Sequence, residues 1–155
     1  KNTDAEGRLI LADALTYAQE KGATRLIDLA TLTGACVTAL GTVRTGMVGN
    51  DQEWMNRFFK VATEAHEKIW QLPSDEEYES LLKSSVADMK NVGGPEAGAI
   101  TAGLFLKQFV NEGTPWIHLD IAGPAFREKA DETGFIGATG VGIKSILHLL
   151  QGGVQ

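Results

Sequence analysis

The sequence is poor in three features that would each point to a particular class of protein. Its single cysteine, Cys36, has no partner for an internal disulfide, which argues against a disulfide-stapled scaffold and favours a reducing compartment. With 14 Lys and Arg against 20 Asp and Glu, the formal net charge is -6, so a surface built to neutralise nucleic acid or anionic lipid is not expected. No apolar run approaches the roughly twenty residues of a membrane-spanning helix.

What is present is an ordinary globular composition, with 43% hydrophobic and 22% charged residues. A chain of 155 residues is the size of one domain and can bury a substantial core. Apolar spacing predicts helices over residues 7–21, 33–40, 53–68, 76–82, 97–110 and 143–150, and strands over 26–31, 45–48 and 116–122. Because strands and helices alternate, we expect an α/β fold with a largely parallel sheet.

The densest chemistry lies in the first residues, Asn2-Thr-Asp-Ala-Glu-Gly-Arg8. If this segment is a loop that runs into a helix at Gly7, Asp4 and Glu6 point the same way, since side chains two residues apart share a face in extended chain. Two converging carboxylates beside an Arg suit a divalent metal with an anion nearby. The alternative is a capping box, in which Thr3 and Glu6 satisfy the first free amides of a helix. Local chemistry alone leaves both interpretations open.

The octapeptide from Asn2 to Leu9 is similar, at all eight positions, to the signature of the cytosolic leucyl aminopeptidase family. Further segments resemble later family segments in the same order, at residues 30–35, 87–91, 98–103 and 118–123. The resemblance implies a three-layer α/β fold of the phosphorylase/hydrolase type, with a mostly parallel mixed sheet and helices on both faces, incomplete in this chain. It also implies that residues 1–155 are the C-terminal part of a single catalytic domain, with the upstream portion and an N-terminal domain absent.

The same resemblance implies a set of site residues. Asp4 and Glu6 match metal ligands of a centre that holds two divalent ions, zinc or manganese, which polarise the scissile carbonyl and activate water. Arg8 matches a catalytic position that binds bicarbonate, for which a planar, permanently charged guanidinium is suited. The positions that match substrate contacts are Asn2, Ala5, Thr31, Leu32, Gly34 and Ala122.

We therefore expect a cytoplasmic, homohexameric enzyme that hydrolyses N-terminal residues such as Leu from peptides, as leucyl aminopeptidases do. Membranes and nucleic acids are not expected partners. The family's remaining ligands and its catalytic Lys lie upstream of the signature, so we expect the 155-residue chain alone to be inactive or nearly so.

Two other functions stay open at this point. One is a non-catalytic scaffold domain that keeps the fold without turnover. The other is a phosphate- or nucleotide-binding module, suggested by the glycine-rich run that ends at Lys144 and Ser145, although Ile143 separates Lys144 from the last glycine. His118 and Asp120 share one face of a predicted strand, where a hydrogen-bonded core pair is expected rather than a metal site.

Overall fold

The computed structural model describes residues 3–130 and 135–152, with side chains from residue 6 onward. The helices are α1 (Thr3–Glu20), α2 (Gly34–Leu40), α3 (Gln52–Glu64), α4 (Glu76–Glu79), α5 (Gly98–Lys107) and α6 (Ile143–Leu150), and a 3-10 helix spans Ser80–Leu82. The strands are β1 (Leu26–Ala30), β2 (Thr45–Gly49), β3 (Ile69–Gln71), β4 (Trp116–Asp120), β5 (Phe126–Arg127) and β6 (Gly137–Ala138). No helix in these described ranges is long and apolar enough to cross a membrane.

The main sheet has the strand order β1-β4-β2-β3. Strands β1 and β4 are parallel, with Ala30 opposite Asp120, and β2 and β3 are also parallel. Strands β4 and β2 are antiparallel, so the sheet is mixed but mostly parallel, as predicted. Strands β5 and β6 form a separate antiparallel pair. Because β1 and β4 run the same way, their carboxyl ends lie at one edge of the sheet, the usual position of ligand sites in open α/β sheets.

Two hydrophobic clusters lie on opposite faces of this sheet. Successive strand residues point to opposite faces, so Trp116 packs with α1 and α5, whereas Ile117 packs with α3. The same alternation places Val48 in the first cluster and Met47 in the second. The described part of the chain is therefore a three-layer arrangement with helices on both faces, which confirms the expected fold class.

The structure departs from the predicted elements around residue 65. The predicted helix over residues 53–68 ends at Glu64, and His66 adopts a φ of 60°, a left-handed conformation that does not continue a helix. The next residues form β3, a three-residue strand that the sequence analysis did not predict. Only Ile69 of this strand is buried, so its sequence carries no alternation that would mark it.

Candidate functional site

The first turn of α1 carries the motif that the sequence singles out. Because α1 begins at Thr3, residues 4 and 6 are both helical. Helical backbone from Thr3 onward replaces the extended segment that the first interpretation assumed, and the convergence of Asp4 and Glu6 on one ion stays a prediction. Glu6 is exposed, while Asn2 and the side chains of Asp4 and Ala5 lie outside the described residues.

Arg8 follows on α1 and is buried, with 3% of its surface exposed. Its guanidinium donates a hydrogen bond of 2.5 Å to the backbone carbonyl of Asn91, in the segment between the 3-10 helix and α5. A buried charge needs such partners, because an uncompensated charge in the interior is strongly destabilising. This contact was not predicted, because it joins residues 83 positions apart. Arg8 is thus held in one orientation between α1 and a distant loop.

The loop between β1 and α2 holds three of the predicted substrate contacts. Thr31 and Gly34 are exposed, whereas Leu32 is 3% exposed. Thr33 is the N-cap of α2, and its hydroxyl accepts a hydrogen bond of 3.0 Å from the amide of Cys36. The cap fixes the position at which the exposed loop turns into the helix.

Asp120, the last residue of β4, joins this loop to the segment that follows β4. Its carboxylate accepts hydrogen bonds from the Leu32 amide at 3.2 Å, the Thr33 hydroxyl at 2.6 Å and the Ala122 amide at 3.1 Å. The predicted substrate contacts Leu32 and Ala122, which are 90 positions apart in the sequence, are therefore bound to one carboxylate. The sequence analysis placed Asp120 in a core pair with His118 and missed this role.

The start of α1 lies next to the same loop. A Cβ atom placed on Gly7 would lie 3.5 Å from Cδ1 of Leu32, which is ordinary van der Waals contact. The helix turn that carries Glu6 and Arg8 thus adjoins the loop that carries Thr31 to Gly34. The structure brings together, at one edge of the sheet, segments that the sequence resemblance assigned to metal binding and to substrate binding.

A cleft of about 700 Å³ opens beside Ala122. It is lined by Val37 and Thr42 on one side and by residues of the 122–130 segment, among them Phe126 and Arg127, on the other. Ala122 is half-buried and presents a small side chain to this space. The cleft therefore offers room for a side chain of a bound ligand next to the loop held by Asp120.

His118 does not pair with Asp120, contrary to the expectation. Its Nδ1 lies 2.5 Å from a carboxylate oxygen of Asp28 on β1, and the other oxygen of Asp28 accepts a hydrogen bond of 2.7 Å from the Trp116 indole. This network lies within the β1–β4 strand pair, where Trp116 and His118 are buried and Asp28 is partly buried. The expectation of a hydrogen-bonded core histidine was right, but its partner is a residue of the neighbouring strand.

The glycine-rich run before α6 is occupied by a carboxylate of the same chain. Glu67 accepts hydrogen bonds from the Gly142 amide at 2.9 Å and the Ser145 amide at 3.0 Å, and also from the Ser145 hydroxyl. These are the helix-terminal donors that a phosphate would use. Since a carboxylate already satisfies them, the geometry gives no support to a phosphate- or nucleotide-binding loop at this position.

Comparison with known proteins decides the relationship. Residues 1–147 match the cytosol aminopeptidase family, catalytic domain. The chain belongs to the cytosol aminopeptidase family. A probable cytosol aminopeptidase of Koribacter versatilis is 55% identical over 150 residues, which are 97% of this chain and 29% of the relative. One of Alkaliphilus oremlandii is also 55% identical, over 97% of this chain and 30% of the relative.

A solved structure shares the fold as well. A variant of tomato leucine aminopeptidase superposes with a TM-score of 0.85 at 47% identity, covering 94% of this chain and 28% of the tomato chain. The chain thus spans about 29% of the length of the first curated relative and a similar share of the solved structure. The family match includes every predicted site residue from Asn2 to Ala122.

Members of the cytosol aminopeptidase family depend on metal ions, which need several donor side chains close together. Within residues 3–130 and 135–152, no group of three or more His, Cys, Asp and Glu residues is arranged to hold a metal ion. Glu6 is an exposed carboxylate of the kind that divalent ions prefer, but one carboxylate does not close a site. These residues therefore do not form a complete metal centre by themselves.

Proposed function

We propose that the protein containing these residues is a metal-dependent aminopeptidase that hydrolyses N-terminal residues such as Leu from peptides. The observation that supports this function best is the contact between the start of α1 and the β1–α2 loop. It places the signature segment, which carries Glu6 and Arg8, against the loop of residues 31–34. Helix α2, which follows this loop, contributes Val37 to the cleft at Ala122. The position, at the carboxyl ends of parallel strands, is typical of ligand sites in α/β sheets.

In this proposal Asp4 and Glu6 supply two of the ligands of a centre of two zinc or manganese ions, and other parts of the protein supply the rest. When bound, such ions polarise the scissile carbonyl and lower the pKa of the attacking water. Arg8 binds bicarbonate, for which its guanidinium is suited by its planar donors and permanent charge. The hydrogen bond to Asn91 restrains the Arg8 side chain.

The remaining residues contact the peptide. Main-chain groups of Thr31, Leu32 and Gly34 bind the substrate backbone, since this loop lies at the edge of the sheet and two of its residues are exposed. Asn2, Ala5 and Ala122 line the pocket for the first side chain. The cleft of about 700 Å³ beside Ala122 is large enough for a branched aliphatic side chain.

The full-length protein tests this function with leucine p-nitroanilide as substrate. We expect Glu6→Gln to lower kcat by more than about 100-fold, the typical loss when one preorganised charged group leaves a catalytic centre, and to lower the bound metal measured by plasma mass spectrometry. The matched control is Glu20→Gln, at the exposed other end of the same helix, which should keep both quantities.

A second substrate separates an aminopeptidase from other hydrolases. N-acetyl-leucine p-nitroanilide lacks the free amino group and should not be cleaved. A full-length protein that binds no divalent ion, or a Glu6→Gln variant with normal turnover, would contradict the proposal. The first of these results would favour a non-catalytic scaffold domain of the same fold.

The proposal extends to the state of the protein in the cell. We propose a cytoplasmic homohexamer, following the family resemblance and the curated relatives, which are named cytosol aminopeptidases. Light scattering of the full-length protein measures its mass in solution, and a dimeric or monomeric mass would overturn the hexamer.

A further inference from the structure

Asp120 is a buried carboxylate at the carboxyl end of β4, with 3% of its surface exposed. Both carboxylate oxygens accept hydrogen bonds from the chain: one from the amides of Leu32 and Ala122, the other from the hydroxyl of Thr33. Charge-assisted hydrogen bonds of this kind are about twice as strong as those between neutral groups. Asp120 therefore fixes the relative positions of two segments that are far apart in the sequence.

The bond to Thr33 extends this effect into α2. The Thr33 hydroxyl donates to Asp120 and accepts from the Cys36 amide, so one hydroxyl joins the carboxylate to the first turn of the helix. A buried hydroxyl that donates and accepts at once has one defined orientation. The chain from Leu32 to the first turn of α2 is thereby held at three points, residues 32, 33 and 36.

The residues held in this way carry the proposed peptide contacts. Thr31 and Gly34 flank the two residues bound to Asp120, and Ala122 lies at the mouth of the cleft. Asp120 itself is buried behind the loop, so it is suited to position main-chain groups rather than to contact a substrate. A displacement of about 1 Å in such groups is enough to cost up to 100-fold in rate.

We propose that Asp120 is a positioning residue for peptide binding, which aligns the 31–34 loop with the pocket residue Ala122. This inference rests on the proposed aminopeptidase function. It adds to that function a residue that neither binds metal nor touches the peptide, but sets the spacing between the backbone-binding loop and the side-chain pocket.

The test uses Asp120→Asn in the full-length protein, a change that keeps size and shape while removing the charge and one acceptor. We expect KM for leucine p-nitroanilide to rise by about 10-fold and kcat/KM to fall by up to about 100-fold. A merely structural role would lower the folded fraction, which reduces apparent kcat and leaves KM unchanged. Bound metal should stay at the level of the parent protein, because Asp120 is not a proposed ligand.

Asp28→Asn is the matched control. Asp28 is a carboxylate on the same strand pair, with Trp116 and His118 as partners, but it has no hydrogen bond to the 31–34 loop. We expect this variant to melt at a lower temperature and to keep the parental KM. Amide hydrogen exchange of residues 31–41 should be faster in Asp120→Asn and unchanged in Asp28→Asn.

Thr33 provides a second, independent pair of variants. Thr33→Val removes the hydroxyl and should raise KM as Asp120→Asn does, whereas Thr33→Ser keeps the hydroxyl and should restore the parental value.

An active parent whose Asp120→Asn variant keeps its KM and its exchange rate would overturn this inference and leave the proposed function standing. Equal changes in Asp120→Asn and Asp28→Asn would overturn it too. A parent without activity towards leucine p-nitroanilide would instead overturn the proposed function.

Discussion

At the scale of single residues, Cys36 shows how burial and a neighbouring charge determine reactivity. Its side chain is 1% exposed, and burial raises the pKa of the thiol to about 11, with the negative charge of Asp120 acting in the same direction. The thiolate is the reactive form of cysteine. Cys36 is thus a core residue whose chemistry is suppressed by the fold.

We predict that Cys36 reacts slowly with iodoacetamide in the native protein at pH 8. Only about 0.1% of a thiol with a pKa near 11 is ionised at that pH, against roughly a quarter of a thiol with the ordinary value. Labelling in urea should therefore be at least about 100-fold faster. Cys36→Ser in the full-length protein identifies the signal of this residue. Rapid native labelling that disappears in Cys36→Ser would contradict the burial of the thiol.

Some site residues could be predicted from a local motif, and others depend on contacts between distant parts of the sequence. Asp4, Glu6 and Arg8 stand in one contiguous motif, so they were recognisable without a structure. Asp120 and Asn91 were not, because they act through contacts with residues more than 80 positions away. The direction of the Glu6 side chain was also beyond reach. Apolar spacing starts only at Leu9. The capping-box interpretation placed a helix start at Thr3, as observed, but local chemistry did not decide between it and an extended segment.

At the scale of elements, the sequence predicted those whose spacing is strong and whose ends carry turn residues. Helix α6 was predicted with its observed bounds, and α2 was predicted with its capping Thr33 included. Strand β3 was missed because three residues are too few for a period to show. The β5–β6 pair was missed for the same reason, since each strand has two residues. None of the four is buried, so no apolar pattern marks them. The antiparallel direction of β2 depends on contacts with β4 that no local pattern encodes.

Helix α5 packs so closely on β2 that one position on it has no room for a side chain. A Cβ atom placed on Gly103 would lie 2.7 to 2.9 Å from the side-chain atoms of Val48, which is a buried β-branched residue with little freedom to move. The helix interior otherwise favours Ala over Gly by about 1 kcal/mol. At position 103 the clash with Val48 favours Gly, whereas helix propensity favours Ala.

We predict that Gly103→Ala lowers the stability of the full-length protein by about 1–3 kcal/mol, the usual cost of overpacking a core. Gly7→Ala is the control, since its added methyl would meet Leu32 at an ordinary 3.5 Å and should leave the melting temperature unchanged or slightly raised. Differential scanning fluorimetry measures both. A Gly103→Ala protein that melts at or above the parental temperature would show that α5 and β2 are not in this close contact.

At the scale of the whole molecule, the 155 residues carry only part of the proposed active centre. The chain covers about 29% of the length of its first curated relative. Within its described residues there is a sheet edge, a loop held by Asp120 and an exposed Glu6, but no set of three metal-binding side chains. The described residues therefore include the proposed peptide contacts at this edge without a closed metal centre.

Because the described residues do not complete a metal centre, we predict that the isolated 155-residue chain is nearly inactive, even when it is folded. Turnover of leucine p-nitroanilide should fall by more than about 100-fold relative to the full-length protein, since the proposal assigns several preorganised groups to other parts of the protein and the loss of one alone has that effect. Isothermal titration with zinc or manganese should show at most weak binding, because two carboxylates leave a metal site open. Circular dichroism at the same concentration shows whether the chain is folded, which separates lost chemistry from lost structure. Normal turnover by the folded chain would mean that these residues supply a complete centre, and the assignment of the remaining ligands to other parts of the protein would then be wrong.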